Sequence, residues 1–225
     1  MYVTYLAGGI ASGKSTVASE LETLGAWRID LDQVSRVVLG AGQPCLDEVA
    51  QLLGEDVIDP QTGEARRALI AERAFATPEM TARLEAVELP YIREVLVRAL
   101  RGECCATTNP VCVVVEVPLL DRMESMLDLA DEVLCVVCPL ELRRRRAIGR
   151  GMTGEDFDRR VARQTSESYL RAHADTLFEN GGTREELVCQ VRDWWASREA
   201  AGWELGASGG WVGKHHGGGI PGVAR

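Results

Sequence analysis

Residues 8–16 read GGIASGKST and follow directly on the short apolar run VTYLA at residues 3–7. Gly8, Gly13, Lys14 and Ser15 meet the pattern G-x-x-x-x-G-K-[ST]. Glycines in such a loop let backbone N–H groups turn inward around phosphate oxygens, and a helix starting at its end adds its dipole. The flanks fit that requirement. VTYLA reads as a strand, and STVASELETLG (15–25) spaces Val17, Leu21 and Leu24 along one helical face before Gly25 ends it. Lys14 is expected to reach the terminal phosphates of a nucleotide. Ser15 is expected to offer its hydroxyl to Mg²⁺ bridging the β- and γ-phosphates.

The rest of the chain alternates in the same way. WRID leads into Asp30 and Asp32, while VCVVVEV (111–117) and EVLCVV (132–137) are near-continuous apolar runs, as expected of strands covered on both faces. The order β-α-β-α predicts a doubly wound α/β fold, a parallel sheet with helices on both faces and its ligand at the carboxyl ends of the strands. Residues 33–104 read as almost wholly helical, punctuated by Pro78 and Pro90. A crossover that long predicts a helical subdomain walling a substrate pocket. Residues 206–225, GASGGWVGKHHGGGIPGVAR, are too glycine-rich to offset ordering entropy and read as a disordered tail, with His215 and His216 solvated.

Composition narrows the partners. With 225 residues, 46% of them apolar, the chain can bury one sizeable core, and its formal charge of −9 argues against coating nucleic acid or an anionic membrane. No apolar run approaches the roughly 18 residues of a membrane span, and the N-terminus lacks a signal-peptide pattern, so a cytoplasmic protein is expected. The seven cysteines are odd in number and scattered, which predicts buried free thiols. CVVC at 135–138 has no second cysteine pair or nearby histidine to complete a zinc site.

A nucleotide site alone does not define a kinase. GTPases share the loop, but the chain has no Asn-Lys-x-Asp segment to read guanine. LRRRRAIGR instead places Arg143, Arg146 and Arg150 on one helical stripe, able to close over a triphosphate or to serve as a solvated basic face. Asp30 and Asp32 flank Leu31 just after the second strand. One of them can orient an acceptor hydroxyl and take its proton, while the other caps the following helix. Glu116, at the end of the third strand run, can hold a metal ion through water or sit at the surface.

LAGGIASGKSTV, IDLDQVSR, ERAF, RLEAVELPYIRE, VEVPLL, RGMTGEDFDRRVARQ and ADTLFEN, in that order, resemble the dephospho-CoA kinases over about residues 3–200. The resemblance implies a P-loop NTPase-type fold and the last step of coenzyme A synthesis, in which ATP phosphorylates the ribose 3′-hydroxyl of dephospho-CoA. It implies a single kinase domain over residues 1–204, in three parts. These are a nucleotide-binding core (about 1–32, 105–138 and 174–204), a helical CoA-binding region (about 33–104) and a lid (about 139–173), ahead of the tail at 205–225.

Carried onto this sequence, the resemblance gives ATP binding to Gly8, Gly9, Ala11, Ser12, Gly13, Lys14, Ser15, Thr16, Arg150 and Asn180. It makes Asp32 the base, with Lys14 and Arg146 also catalytic, and gives substrate contacts to Asp32, Arg36 and Arg93. Ser15 would ligate Mg²⁺, with Glu116 acting through water. Gln164, Arg171 and Asn180 fall near the lid and the adenine side. Three departures stand out. Leu89 replaces the family's histidine, Glu116 replaces its aspartate, and Asp121-Arg122 replace its Phe-Glu. The expected partners are ATP and dephospho-CoA, with no nucleic acid and no membrane, for a monomer or weak homo-oligomer. A kinase for another nucleoside or metabolite, and a nucleotide-binding protein without activity, are the alternatives.

Overall fold

In a computed structural model, which describes residues 1–103 and 110–203, five runs of the chain form strands. They are β1 (Tyr2–Gly8), β2 (Trp27–Asp30), β3 (Cys112–Glu116), β4 (Glu132–Val137) and β5 (Thr176–Glu179). They pair in parallel in the order β2-β3-β1-β4-β5. The helices are α1 (Lys14–Leu24), α2 (Leu31–Val38), α3 (Pro44–Leu53), α4 (Arg67–Ala74), α5 (Pro78–Leu100), α6 (Leu140–Gly149), α7 (Gly154–Val161), α8 (Glu167–His173) and α9 (Arg184–Ala200). The described residues divide into two units. One takes residues 1–30 and 110–203 and contains the sheet; the other, residues 31–103, contains α2 to α5. The tail from residue 204, with His215 and His216, lies outside the described residues, as do Cys104 and Cys105.

Every residue of β3 and β4 is buried, which explains why their sequences run apolar without alternation. On one face Tyr2, Leu6, Cys112, Val114, Leu134, Val136 and Phe178 pack against Val17 and Leu21 of α1 and Leu187, Val191, Trp194 and Trp195 of α9. The other face carries Val3, Tyr5, Val113, Val115 and Cys135, also buried, and the Tyr5 hydroxyl donates to the Met126 carbonyl at 2.7 Å. Burying each of these larger side chains contributes about 1.5–3 kcal/mol.

A carboxylate closes the amino end of this core. Glu132 is 2% exposed and accepts from Tyr2 Oη (2.8 Å), Thr176 Oγ1 (2.6 Å), Trp194 Nε1 (3.0 Å) and Arg198 Nε and Nη2 (2.9 and 2.8 Å). A charge that deep is tolerable only when it is paired and its lone pairs are satisfied. Removing it strands five donor groups on four residues at once. Glu132→Ala is therefore expected to cost about 3 kcal/mol, read as a lower urea midpoint at unchanged m-value.

Cys45, Cys112, Cys135 and Cys138 are buried as expected, and burial pushes the first three thiols up to about 12, which keeps them unreactive. Among the described cysteines, Cys189 is the exception. It is exposed on α9, because a residue two positions after Leu187 and two before Val191 turns away from the face those two bury.

In the helical unit, α5 packs on α2, α3 and α4. Pro78 sits at its first position behind Thr77, whose hydroxyl accepts from the Met80 amide at 3.2 Å. Pro90, read as a break, interrupts nothing: α5 runs through it for 23 residues. An interior proline costs a helix about 3 kcal/mol, and packing against three neighbours offsets it. Residues 54–66 depart from the helical expectation, with a 3₁₀ turn at Glu55–Val57 and an antiparallel bridge between Ile58 and Ala65.

Glu88 of α5 is a polar group placed at a cost. Burial raises its carboxyl to about 7, Glu85 adds to the rise, and the Ser35 hydroxyl and Arg67 oppose it. A raised folded-state value means the folded form binds the proton more tightly, so stability is full below the ordinary carboxylate range and lost as pH rises through about 7. Glu88→Gln removes that penalty. The variant should gain about 2 kcal/mol at pH 8 and little at pH 4, measured as paired urea unfolding curves.

Candidate active site

The loop from Gly8 to Gly13 lies at the carboxyl end of β1, where strand order reverses between its neighbours β3 and β4. Doubly wound sheets bind ligands at such reversals. Two side chains bind the carbonyls of this loop. Arg143 Nε donates to the Ile10 carbonyl at 2.9 Å and Asn180 Nδ2 to the Ser12 carbonyl at 2.7 Å. Gln164 Oε1 accepts from the Ile10 amide at 2.8 Å and from Arg143 Nη2 at 3.1 Å. The glycines permit this approach. A Cβ on Gly9 would overlap the Arg143 guanidinium, and one on Gly13, whose φ is 107°, would overlap the Asn180 amide. Ala11 holds a left-handed φ of 58° without being glycine, a strained conformation of the kind stored at binding loops.

The start of α1 is left uncapped. Gly13 is its N-cap and supplies no side-chain acceptor, and the first turn carries no acidic residue. The first helical hydrogen bonds belong to Thr16 and Val17, both to the Gly13 carbonyl, at 2.9 and 3.2 Å. The amides before them point out of the helix end, where the dipole favours an anion. Ser12 Oγ is buried with no hydrogen-bond partner among the described residues. Buried hydroxyls rarely stay so, and a phosphate oxygen suits it.

Lys14, the first residue of α1, places Nζ 3.6 Å from Glu116 Oε2 at the end of β3. Glu116 is 5% exposed and pairs through Oε1 with the Nε and Nη2 atoms of Arg28 on β2. Arg28 Nη1 also meets Glu22 Oε2 of α1 at 3.0 Å. Burial works against the Arg28 charge, but the two carboxylates together hold its pKa above the ordinary range. Glu116 and the Ser15 hydroxyl are hard oxygen donors, the kind Mg²⁺ prefers. No group of three His, Cys, Asp or Glu able to hold a metal occurs among the described residues. That donor set fits a cation ligated mainly by phosphate and water rather than by a protein cage.

The arginine stripe serves the loop and its surroundings. Arg143 is buried, which lowers its pKa, and it holds loop backbone. Arg146 donates to the Asn180 carbonyl (3.4 Å), Asn180 Oδ1 (3.2 Å) and the Gly182 carbonyl (3.2 Å). Arg150, directly after α6, is exposed. Asn180, expected on the adenine side, thus ties Arg146 to the loop, while Arg171 pairs with Glu167 and Glu179 at 2.9 and 2.8 Å. Asp121 accepts from Thr165 Oγ1 at 2.5 Å.

Asp32, Arg36 and Arg93 belong to the helical unit. The second strand ends at Asp30 and α2 begins at Leu31, so Asp32 lies in the first helical turn, exposed, rather than in a connecting loop. A carboxylate there complements the helix dipole. Arg36 follows one turn later, also exposed, and Arg93 and Leu89 are half-buried on α5.

A phosphate loop so built, on a parallel sheet of this order, places the protein among the P-loop nucleotide-binding folds. The family model described as dephospho-CoA kinase matches residues 2–186, and the chain belongs to that family. A dephospho-CoA kinase of Corynebacterium diphtheriae is 40% identical over 196 residues, covering 87% of this chain and 96% of that protein. One of Corynebacterium jeikeium is 40% identical over 194 residues, covering 84% and 96%. A solved protein of Thermus thermophilus is 30% identical, with a TM-score of 0.70 over 87% of this chain and 97% of its own. The dephospho-CoA kinase from Campylobacter jejuni, 20% identical with a TM-score of 0.54, covers 87% of this chain and 96% of its own and shares the fold. The family is one of ATP-using kinases, typically with a divalent metal ion. No helix among the described residues is long and apolar enough to cross a membrane.

Proposed function

We propose that this protein transfers the γ-phosphoryl group of ATP to the ribose 3′-hydroxyl of dephospho-CoA, giving coenzyme A and ADP, in the cytoplasm and as a monomer or weak homo-oligomer. The observation that carries the reading is the family match over residues 2–186, which spans both the phosphate loop and the helical unit. Residues Gly8 to Thr16 form the phosphate cradle, with the amides just ahead of Thr16 turned to the phosphates, and Lys14 meets the β- and γ-phosphates. Ser15, with Glu116 acting through water, would hold Mg²⁺, which would offset charge developing on the phosphates.

Asp32 orients the 3′-hydroxyl and accepts its proton as the oxygen attacks in line. Arg36 and Arg93 hold the acceptor in the helical region of about residues 33–104. Residues 139–173 act as a lid that excludes water able to hydrolyse ATP, with Arg146 and Arg150 on the phosphates and Asn180 beside the nucleotide. In that closed state Arg146 exchanges its present bonds to Asn180 and Gly182 for phosphate oxygens.

The test is incubation of purified protein with Mg²⁺, ATP and dephospho-CoA, followed by mass, with adenosine as control acceptor. One added phosphate on dephospho-CoA alone is expected. ATP binding without any product, or transfer to adenosine instead, overturns the reading.

A further inference from the structure

We propose that Arg28 is a positioning residue for phosphoryl transfer, holding one oxygen of Glu116 so that Lys14 stays available to ATP. The proposal rests on the reading that Lys14 meets the ATP phosphates. Asp30 of β2 stands directly opposite Glu116 of β3, and Arg28, two residues earlier, is the diagonal neighbour on the same face. Long side chains reach across that diagonal, and a cation there offsets two carboxylates set opposite each other.

The contacts divide the Glu116 carboxylate between two cations. Oε1 takes the Nε and Nη2 atoms of Arg28, a planar fork, whereas Oε2 faces Lys14 Nζ at 3.6 Å, beyond hydrogen-bond length. Arg28 is itself pinned from the far side by Glu22 at 3.0 Å. The chain of charges Glu22, Arg28, Glu116, Lys14 thus begins and ends on α1. A carboxylate already paired with a guanidinium attracts a second cation less strongly. Without Arg28, the buried Glu116 draws Lys14 into a close ion pair, and ATP must compete for that ammonium group.

This predicts an effect on ATP that a second substitution reverses. Calorimetric titration with ATP in the presence of a chelator removes metal from the comparison and needs no turnover. Arg28→Met should weaken ATP binding about tenfold, the worth of a charge-assisted contact, and raise KM for ATP while leaving KM for dephospho-CoA in place. Arg28→Met with Glu116→Gln should return ATP affinity close to the parent, since no carboxylate then holds Lys14. A merely structural role for Arg28 would not be rescued in this way.

Should Arg28→Met fail to fold, Arg28→Lys carries the test. It keeps the charge but not the fork, so a smaller loss with the same rescue is expected. Unchanged ATP affinity in the Arg28 variant, or a double variant no tighter than the single, overturns the proposal. Lys14→Met is titrated alongside. If it binds ATP as tightly as the parent, the reading of Lys14 is what fails; if it binds weakly while the Arg28 variant does not, only the role of Arg28 fails.

Discussion

Asp32→Asn is expected to bind ATP like the parent and to transfer phosphate about 10²- to 10⁴-fold more slowly, the range that a positioned general base contributes. The change is nearly isosteric, and Asp32 is exposed in the first turn of α2, so the fold has little to lose. What goes is a charge at a helix start, about 0.3–1 kcal/mol, and the ability to take a proton. The loop, Lys14 and Glu116 belong to the other unit, so ATP affinity should not follow the rate. Single-turnover transfer and ATP titration on one preparation separate the two effects. Asp30→Asn is the matching comparison, because Asp30 ends β2 opposite Glu116 and should show the smaller loss in rate. Near-parental transfer in Asp32→Asn removes Asp32 from the role of base, and a larger loss in Asp30→Asn moves that role to Asp30.

The first strand, the loop and α1 could be read from sequence because each is set by neighbours within a few residues. Apolar spacing at Val17 and Leu21 fixes the buried face of α1, and glycines at positions 13 and 25 adopt the left-handed cap conformations that bound it. The apolar runs of β3 and β4 likewise announce burial on both faces. Pro90 could not be read that way, since whether a helix survives a proline depends on what packs against it. The exposed Cys189 needed the phase of α9, which buries Leu187 and Val191.

The site was legible in part for the same reason. Spacing puts Arg143 and Arg146 on one stripe, but their partners, Ile10, Gln164 and Asn180, lie 21 to 133 residues away in sequence. Only the fold shows that Arg143 braces the backbone of the loop. Arg28 gave no local signal at all, because its partner in the buried pair is 88 residues along the chain on a neighbouring strand. Gly9 held a trace of this: a position with no unusual φ has no local need for glycine, so the need came from something pressing close, which proves to be Arg143.

Lys14→Met is expected to lower kcat/KM by about 10²- to 10³-fold, comparable with removing one preorganised donor from charge that develops in a transition state. Removing one partner of a buried ion pair usually destabilises the fold by about 3–5 kcal/mol because the other charge is left alone. Here it should not, because Arg28 still engages the Glu116 carboxylate. The variant should therefore melt near the parent while losing both ATP affinity and rate, so a loss of activity cannot be assigned to unfolding. Lys14→Arg restores the charge on a longer, planar group and should recover little of the rate, since a loop this close to α1 accommodates a compact ammonium better than a fork. Thermal melting and steady-state kinetics on both variants check this. Parental kcat/KM in Lys14→Met would take Lys14 out of the reaction, and a large drop in melting temperature would mean that Glu116 depends on Lys14 rather than on Arg28.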